Sequence, residues 1–199
     1  MDFVEGEILA FDKPYRWTSF DVVGKARWLL CHKLGVKKLK VGHSGTLDPL
    51  ATGVVVVCTG KKTKLIDQLQ AHQKEYVATL QLGATTPSFD LEKAIDATYP
   101  TEHITRALIE EVIPTFVGEQ WQVPPMFSAV KVDGKRAYKL ARKGEEVELK
   151  PKLLVIDEIE ILDFVKASMQ LTIRVVCSKG TYIRALARDI GQRLNSGAH

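Results

Sequence analysis

The chain has 199 residues, 45% of them hydrophobic and 26% charged, with a formal net charge of +4, the composition of a soluble protein with one well-buried domain or at a stretch two small ones. No apolar run approaches the length of a membrane span and the N-terminus lacks a signal-peptide pattern, which argues against a membrane helix and a cleaved leader. Three scattered cysteines (Cys31, Cys58, Cys177) with no CxxC pair, and five dispersed histidines, argue against a disulfide framework and a zinc site and for reduced thiols in a cytoplasmic protein.

Glu7 to Phe11 reads as a short strand leading into Lys13-Pro14. Thr18-Ser19-Phe20-Asp21 has the form of a capping box, and Val22, Val23, Ala26, Leu29, Leu30 and Leu34 follow at helical spacing. Basic residues bunch at His32-Lys33 and Lys37-Lys38-Lys40, at Lys61-Lys62-Lys64, and between Lys131 and Lys143. Separate basic clusters at loop-like positions suit a polyanion such as RNA or DNA, although any one of them is also what a solvated lysine-rich surface looks like.

The segment from Gly42 to Gly60, GHSGTLDPLATGVVVVCTG, is the most informative in the chain. A glycine-bracketed polar loop holds one histidine, one serine, two threonines and a single carboxylate, Asp48, before Pro49. It runs into Val54-Val55-Val56-Val57, which predicts a strand buried on both faces. A carboxylate on a loop anchored to such a strand is a candidate reactive group. An Asp before Pro serves equally well as a simple acceptor of backbone hydrogen bonds in a turn.

A helix is expected from Lys62 to about Ala71, then a half-buried strand from Glu75 to Leu82 with Tyr76, Ala78, Leu80 and Leu82 on one side. Gly83 to Lys93 reads as a polar loop, and Thr105 to Phe116 as a helix interrupted by Pro114. After the extended break at Val123-Pro124-Pro125 come a strand-like Phe127 to Val132, an Asp133-Gly134 turn and a short basic helix from Arg136 to Lys143. Two long strands, Leu153 to Phe164 and Met169 to Cys177, are joined through Lys166-Ala167, and Gly180 opens a last helix with Ile183, Leu186, Ala187, Ile190 and Leu194 on its apolar face. This pattern predicts an α+β fold with a largely antiparallel central sheet and flanking helices. Phosphate-loop, dinucleotide, GxSxG and HExxH motifs are missing; at Gly60-Lys61, for instance, Lys62 stands where a phosphate loop needs Ser or Thr.

Several of these blocks, in this order, resemble the TruB-type pseudouridine synthase family: Lys13-Pro14 with Thr18-Ser19, GHSGTLDPLATGVVVVCTG with Lys64, Lys74-Glu75-Tyr76, Leu82-Gly83-Ala84-Thr85, QVPPMFSAVKVDGKRAYKLARKG and CSKGTYIRALARDIG. The resemblance covers nearly the whole chain, and GHxGTLDPxAxGV is its most specific part. It implies a pseudouridine-synthase-like catalytic domain that converts a uridine in the T-loop of tRNA (position 55) to pseudouridine. That reaction breaks the N1–C1′ bond, turns the uracil and rejoins it through C5. Only the C5 proton is lost, so no metal and no organic cofactor is expected. An ionised carboxylate is needed, to attack covalently or to remove a sugar proton. The resemblance gives that role to Asp48 and makes Arg184 its paired guanidinium, which keeps it charged. It makes Tyr76 the ring that stacks on the flipped base and His43 the residue filling the gap left in the RNA. Lys13 supports the loop or meets an RNA phosphate, Lys64 contacts RNA, and Lys131, Arg136 and Arg142 belong to an RNA-gripping loop over residues 122–145.

The expected partner is the T-arm stem-loop of tRNA, the expected state a cytoplasmic monomer. The chain stops at Asn195-Ser196-Gly197-Ala198-His199, where the family continues with a further segment and often a small RNA-binding domain. Residues 1–199 are therefore expected to be a single catalytic domain truncated at its end. Two other readings weigh less. A binding module that keeps the shape without the chemistry has no need of Asp48, Tyr76 and Arg184 together. A glycosidic-bond hydrolase needs a second acid near the first, and the loop offers only Asp48.

Overall fold

In the computed structural model, which describes residues 1–128, 130–132, 134–141, 144 and 147–199 (for 131, 132, 136 and 139 the backbone alone), the strand pairings separate into two units, Met1–His72 and Gln73–His199.

The first unit is built from β1 (Ile8–Lys13), α1 (Ser19–Leu34), β2 (Val41–His43) and β3 (Gly53–Thr59), followed by a 3-10 turn (Gly60–Leu65) and α2 (Ile66–Ala71). The predicted capping box is formed: the Thr18 hydroxyl accepts from the Asp21 N–H at 3.1 Å, and the Asp21 carboxylate accepts from the Thr18 N–H at 2.8 Å. Two N–H groups that the helix cannot satisfy are thereby paired. At the other end Gly35 takes the left-handed conformation, φ 65°, and donates to the Cys31 and His32 carbonyls.

The sheet is antiparallel, in the order β1-β3-β2, with Lys13 opposite Gly53 and His43 opposite Val57. Strand β2 falls inside what reads as loop in the sequence. At Gly42, within it, a Cβ would sit 2.8 Å from the tip of the Ile66 side chain of α2. Strand β3 departs from the expectation of burial on both faces. Val55 and Val57 are buried against Val22 and Val23 of α1, whereas Val54 is 67% exposed and Val56 half-buried. Helix α1 covers one face of the sheet, so alternate valines gain a packing partner and the others do not.

The second unit contains β4 (Lys74–Gln81), β5 (Ala84–Thr85), β6 (Ala97–Thr98), α3 (Arg106–Val112), β7 (Gly118–Gln122), β8 (Lys131–Val132), β9 (Lys135–Arg136), α4 (Ala137–Ala141), β10 (Lys152–Val165), β11 (Gln170–Cys177) and α5 (Ile183–Arg193). Its main sheet runs β4-β11-β10-β7, every ladder antiparallel. The fold is α+β, as predicted. One face carries the core: Leu80, Ile156, Leu171, Ile173 and Val175 pack with Ile109 of α3 and with Leu186 and Ile190 of α5. On the other face Arg174 of β11 bonds Glu75, Glu158 and Glu160, carboxylates from the strands on both sides of it.

Pro114 ends α3 as expected, and the chain continues as a 3-10 turn over Ile113–Phe116. The strand expected over Phe127 to Val132 is limited to β8, and Arg142 and Lys143 of the expected basic helix lie outside the described residues. Helix α5 begins three residues after Gly180, at Ile183. No helix among the described residues is long and apolar enough to cross a membrane.

Candidate active site

In the first unit the site is built around Asp48, which is half-buried, with its backbone fixed on both sides. On one side, the Ser19 hydroxyl at the start of α1 accepts from the Leu47 N–H at 2.9 Å and donates to the Leu47 carbonyl at 3.4 Å. On the other, the Pro49 carbonyl accepts from the Arg16 N–H at 2.8 Å and from the Lys13 ammonium at 3.2 Å. The Asp48 carbonyl itself accepts from the Ala51 N–H at 3.0 Å. Arg16 holds a positive φ of 68°, a strained turn for a side chain with a Cβ, and that turn aims its N–H at Pro49. A carboxylate whose flanking peptides are anchored this way is preorganised for chemistry.

Lys13 closes β1 opposite the first residue of β3 and is fully buried. Its ammonium donates to the Pro14 carbonyl at 3.1 Å, to the Trp17 carbonyl and to Pro49, which engages all three of its hydrogens. Burial pulls the Lys13 pKa below the ordinary lysine value, while the negative charges of Asp48 and Asp21 push the other way. A phosphate finds no hydrogen left on this group; the geometry favours loop support, the other role the sequence suggested. Replacing Lys13 by Met should leave three carbonyls facing an apolar stem, and we expect a loss of about 3 kcal/mol of stability, read as a lower urea midpoint at unchanged m-value. A Met variant as stable as the parent would mean the loop does not depend on this ammonium.

His43 ends β2, half-buried, its Nδ1 2.7 Å from the Gly45 carbonyl. A carbonyl only accepts, so Nδ1 carries the proton of this bond. Lys64 is exposed on the 3-10 turn. The first unit thus brings Lys13, His43 and Asp48 to one loop.

In the second unit Tyr76 lies on β4 opposite Val175 of β11, half-buried against the edge of the core. Arg184 occupies the first turn of α5. Its Nη1 donates to the Ser88 carbonyl at 3.0 Å and its Nη2 to the Phe127 carbonyl at 3.1 Å, with Nε 3.6 Å from the Asp90 carboxylate. The Arg184 and Asp90 side chains are 13% and 16% exposed. Side chains of Lys131 and Arg136, and Arg142 entirely, lie outside the described residues.

Two residues that the sequence reading passed over hold Arg184 in place. Asp90 is the organising group of its loop: one oxygen accepts from the Ser88 hydroxyl at 2.6 Å and the Glu92 N–H at 2.9 Å, and its own carbonyl accepts from the Thr86 hydroxyl at 2.7 Å. Gln122, 4% exposed at the end of β7, clamps the residue just before α5. Its amide accepts from the Tyr182 N–H at 2.9 Å and donates to the Tyr182 carbonyl at 3.2 Å. The signal for Asp90 was the hydroxyl-rich run Thr85-Thr86-Pro87-Ser88 leading to a carboxylate, a turn-forming composition. Nothing in the sequence pairs Gln122 with Tyr182.

The family model described as TruB family pseudouridylate synthase (N terminal domain) matches residues 32–183. The chain is 71% identical over 199 residues to the tRNA pseudouridine synthase B of Phocaeicola vulgatus, covering 100% of this chain and 84% of that protein. To the tRNA pseudouridine synthase B of Flavobacterium johnsoniae it is 53% identical over 199 residues, covering 100% and 86%. Among solved structures it is similar to a chain of "Crystal Structure of a Cbf5-Nop10-Gar1 Complex", with TM-score 0.70 and 29% identity over 99% of this chain and 46% of that one. A chain of "Structure of H/ACA RNP bound to a substrate RNA containing 2'-deoxyuridine" matches with TM-score 0.66 and 26% identity over 99% and 45%. The chain spans just under half the length of those two solved chains.

Proposed function

Because this chain belongs to the TruB family of pseudouridylate synthases, we propose that it acts on the uridine at position 55 of the tRNA T-loop, with Asp48 as the reacting carboxylate. The reaction is the isomerisation of uridine to pseudouridine in tRNA, and the observation that carries it is 71% identity along all 199 residues to a tRNA pseudouridine synthase B. The atoms balance without a co-reactant. The N1–C1′ bond breaks with its electron pair going to N1, the uracil turns, C5 bonds to C1′, and C5 releases its proton as N1 gains one.

An ionised Asp48 serves either by attacking C1′ or by removing a sugar proton, and both need its negative charge. Arg184 supplies the counter-charge in this reading, and its rigid fork of bonds to Ser88, Phe127 and Asp90 supports the assignment because a guanidinium so held costs nothing to orient during the reaction. Tyr76 replaces the stacking that the target base gives up when it leaves the RNA. The basic segment over residues 122–145 grips the RNA backbone, His43 fills the vacated stack, and Lys64 meets a phosphate.

The direct experiment uses transcribed tRNA labelled with tritium at uridine C5, because C5 becomes the glycosidic carbon and its label passes to water. Release from the parent tRNA, and none from a tRNA carrying cytidine at position 55, is the expected result. Undiminished release from the cytidine tRNA would put the modified uridine elsewhere. Tyr76→Phe should keep most of the rate and Tyr76→Leu should lose about ten-fold or more, since stacking on an aromatic face is worth about 1–3 kcal/mol per base. A fully active leucine variant would remove Tyr76 from the base pocket.

A further inference from the structure

We propose that the outward face of α1 and the turn after it form a second RNA-binding surface, where an unpaired base extends the stack of Trp28 on His32 and neighbouring phosphates sit against Lys37, Lys38 and Lys40. The first observation is aromatic. Trp28 is 60% exposed, an apolar ring that folding leaves in water, and it lies parallel to the His32 ring with centroids 5.8 Å apart and planes 5° apart. The Lys25 ammonium stands 5.0 Å from the indole centroid. A flat exposed pair with a cation beside it is the arrangement on which unstacked bases lie.

The second observation is charge. Between Asp21 and Asp48 the sequence holds six lysines and arginines (Lys25, Arg27, Lys33, Lys37, Lys38 and Lys40) and no carboxylate at all. Among the described residues none of the five lysines forms an ion pair within the chain. Arg27, Lys37, Lys38 and Lys40 line a groove of about 470 Å³ with Leu39 and Cys31, and Arg27 is held there by its bond to the Val41 carbonyl at 3.0 Å. An uncompensated cationic groove beside an aromatic platform is complementary to a nucleic-acid strand. Around α1 the exposed Phe20, Trp28 and Leu34 lie within about 120° of one another and Leu29 stands about 180° from Phe20, so an anionic membrane is the competing partner. The parallel Trp28 and His32 rings favour a nucleic-acid base over it.

The aromatic end of this surface is separate from the uridine site, whereas Lys40 leads directly into β2. Ser19, which holds Leu47 next to Asp48, starts α1, and Trp28 and His32 lie about 14 and 20 Å further along the axis at 1.5 Å per residue. The inference rests on the tRNA reading only in taking the substrate itself as the bound RNA, which this face touches away from the modified uridine.

The test compares the parent with the triple variant Lys37→Ala/Lys38→Ala/Lys40→Ala and with Trp28→Ala and Trp28→Phe, all at exposed positions, by tRNA titration at several salt concentrations, by tritium release and by thermal melting. The triple variant should melt with the parent, bind tRNA about ten-fold or more weakly, and flatten the plot of log affinity against log salt by about 0.9 for each phosphate no longer neutralised. Trp28→Ala should weaken binding about five-fold or more without changing that slope, and Trp28→Phe should restore most of it. In both cases the loss falls on affinity, with KM rising alongside Kd. Parent-like affinity and slope in the triple and alanine variants would overturn the proposal, as would loss of binding to phosphatidylserine vesicles with tRNA binding intact. A parent that binds tRNA but releases no tritium would refute the isomerase reading instead, and the titrations would still decide this one.

Discussion

Asp48→Asn should bring tritium release to background, a fall of roughly four orders of magnitude or more, while the melting temperature and the affinity for tRNA stay close to those of the parent. The substitution changes charge and little else. Asparagine has the same shape, and the loop is held through the peptides of Leu47 and Pro49 by Ser19, Arg16 and Lys13, whose bonds run to backbone atoms that the substitution keeps. A neutral amide neither attacks C1′ nor accepts a sugar proton at a useful rate. Single-turnover release with enzyme in excess is the measurement of choice, because it separates chemistry from product release. A variant that releases label at near the parent's rate would remove Asp48 from the reaction.

Arg184→Ala should lower the rate about 10²–10³-fold, the range seen when one preorganised charged donor is taken from a site where charge develops. The same change leaves the Ser88 and Phe127 carbonyls and the Asp90 carboxylate without their cation, so a stability loss of about 3 kcal/mol or more accompanies it. Rates must therefore be compared well below both melting transitions. Arg184→Lys separates charge from geometry: an ammonium restores the positive charge but cannot span two carbonyls and a carboxylate with a planar fork, and most of the rate should stay lost. Asp90→Asn is the complementary probe. It keeps the turn around Thr86 and Ser88 and loosens only the Nε side of the guanidinium, so a partial loss is expected. Full activity in Arg184→Lys would mean that a point charge suffices and the fork is structural.

The parts of this protein that could be read from sequence are those whose cause is local. The box at Thr18 and Asp21 and the proline break at Pro114 depend on a few neighbouring residues, and each starts or ends an element where expected. The hairpin of β10 and β11 announced itself by alternation and length. Strand β2 did not, since three residues become a strand only through pairing with β3. Strand β7, Gly-Glu-Gln-Trp-Gln, is polar because it lies at a sheet edge, with Trp121 71% exposed, so its pattern carries no hydrophobic signal. The valine run misled for the opposite reason: composition speaks of strand, but only the placement of α1 decides which faces are covered. Asp48, Tyr76 and Arg184 enter the proposed function through a resemblance of motifs. Asp90 and Gln122, which position Arg184 from about 94 and 62 residues away in the chain, act through tertiary contacts that no local pattern encodes.

The strand order of the second unit governs how the chain is made. In the first unit every strand finds its partner within about 50 residues, so its sheet is complete soon after residue 59 leaves the ribosome. Strand β4 has no such luck: its partner is β11, whose first residue comes about 90 residues later. At about 5–20 residues per second, Lys74–Gln81 waits roughly 5–20 s with its backbone groups unpaired, far longer than hairpins take to close. Its outward-facing residues during that wait are Glu75, Val77 and Thr79, and only one of these is apolar. A strand that must stay open in a crowded cell is kept from pairing with strangers by a charge at one end and a hydroxyl at the other, and the same Glu75 later closes the sheet by bonding Arg174 once β11 arrives.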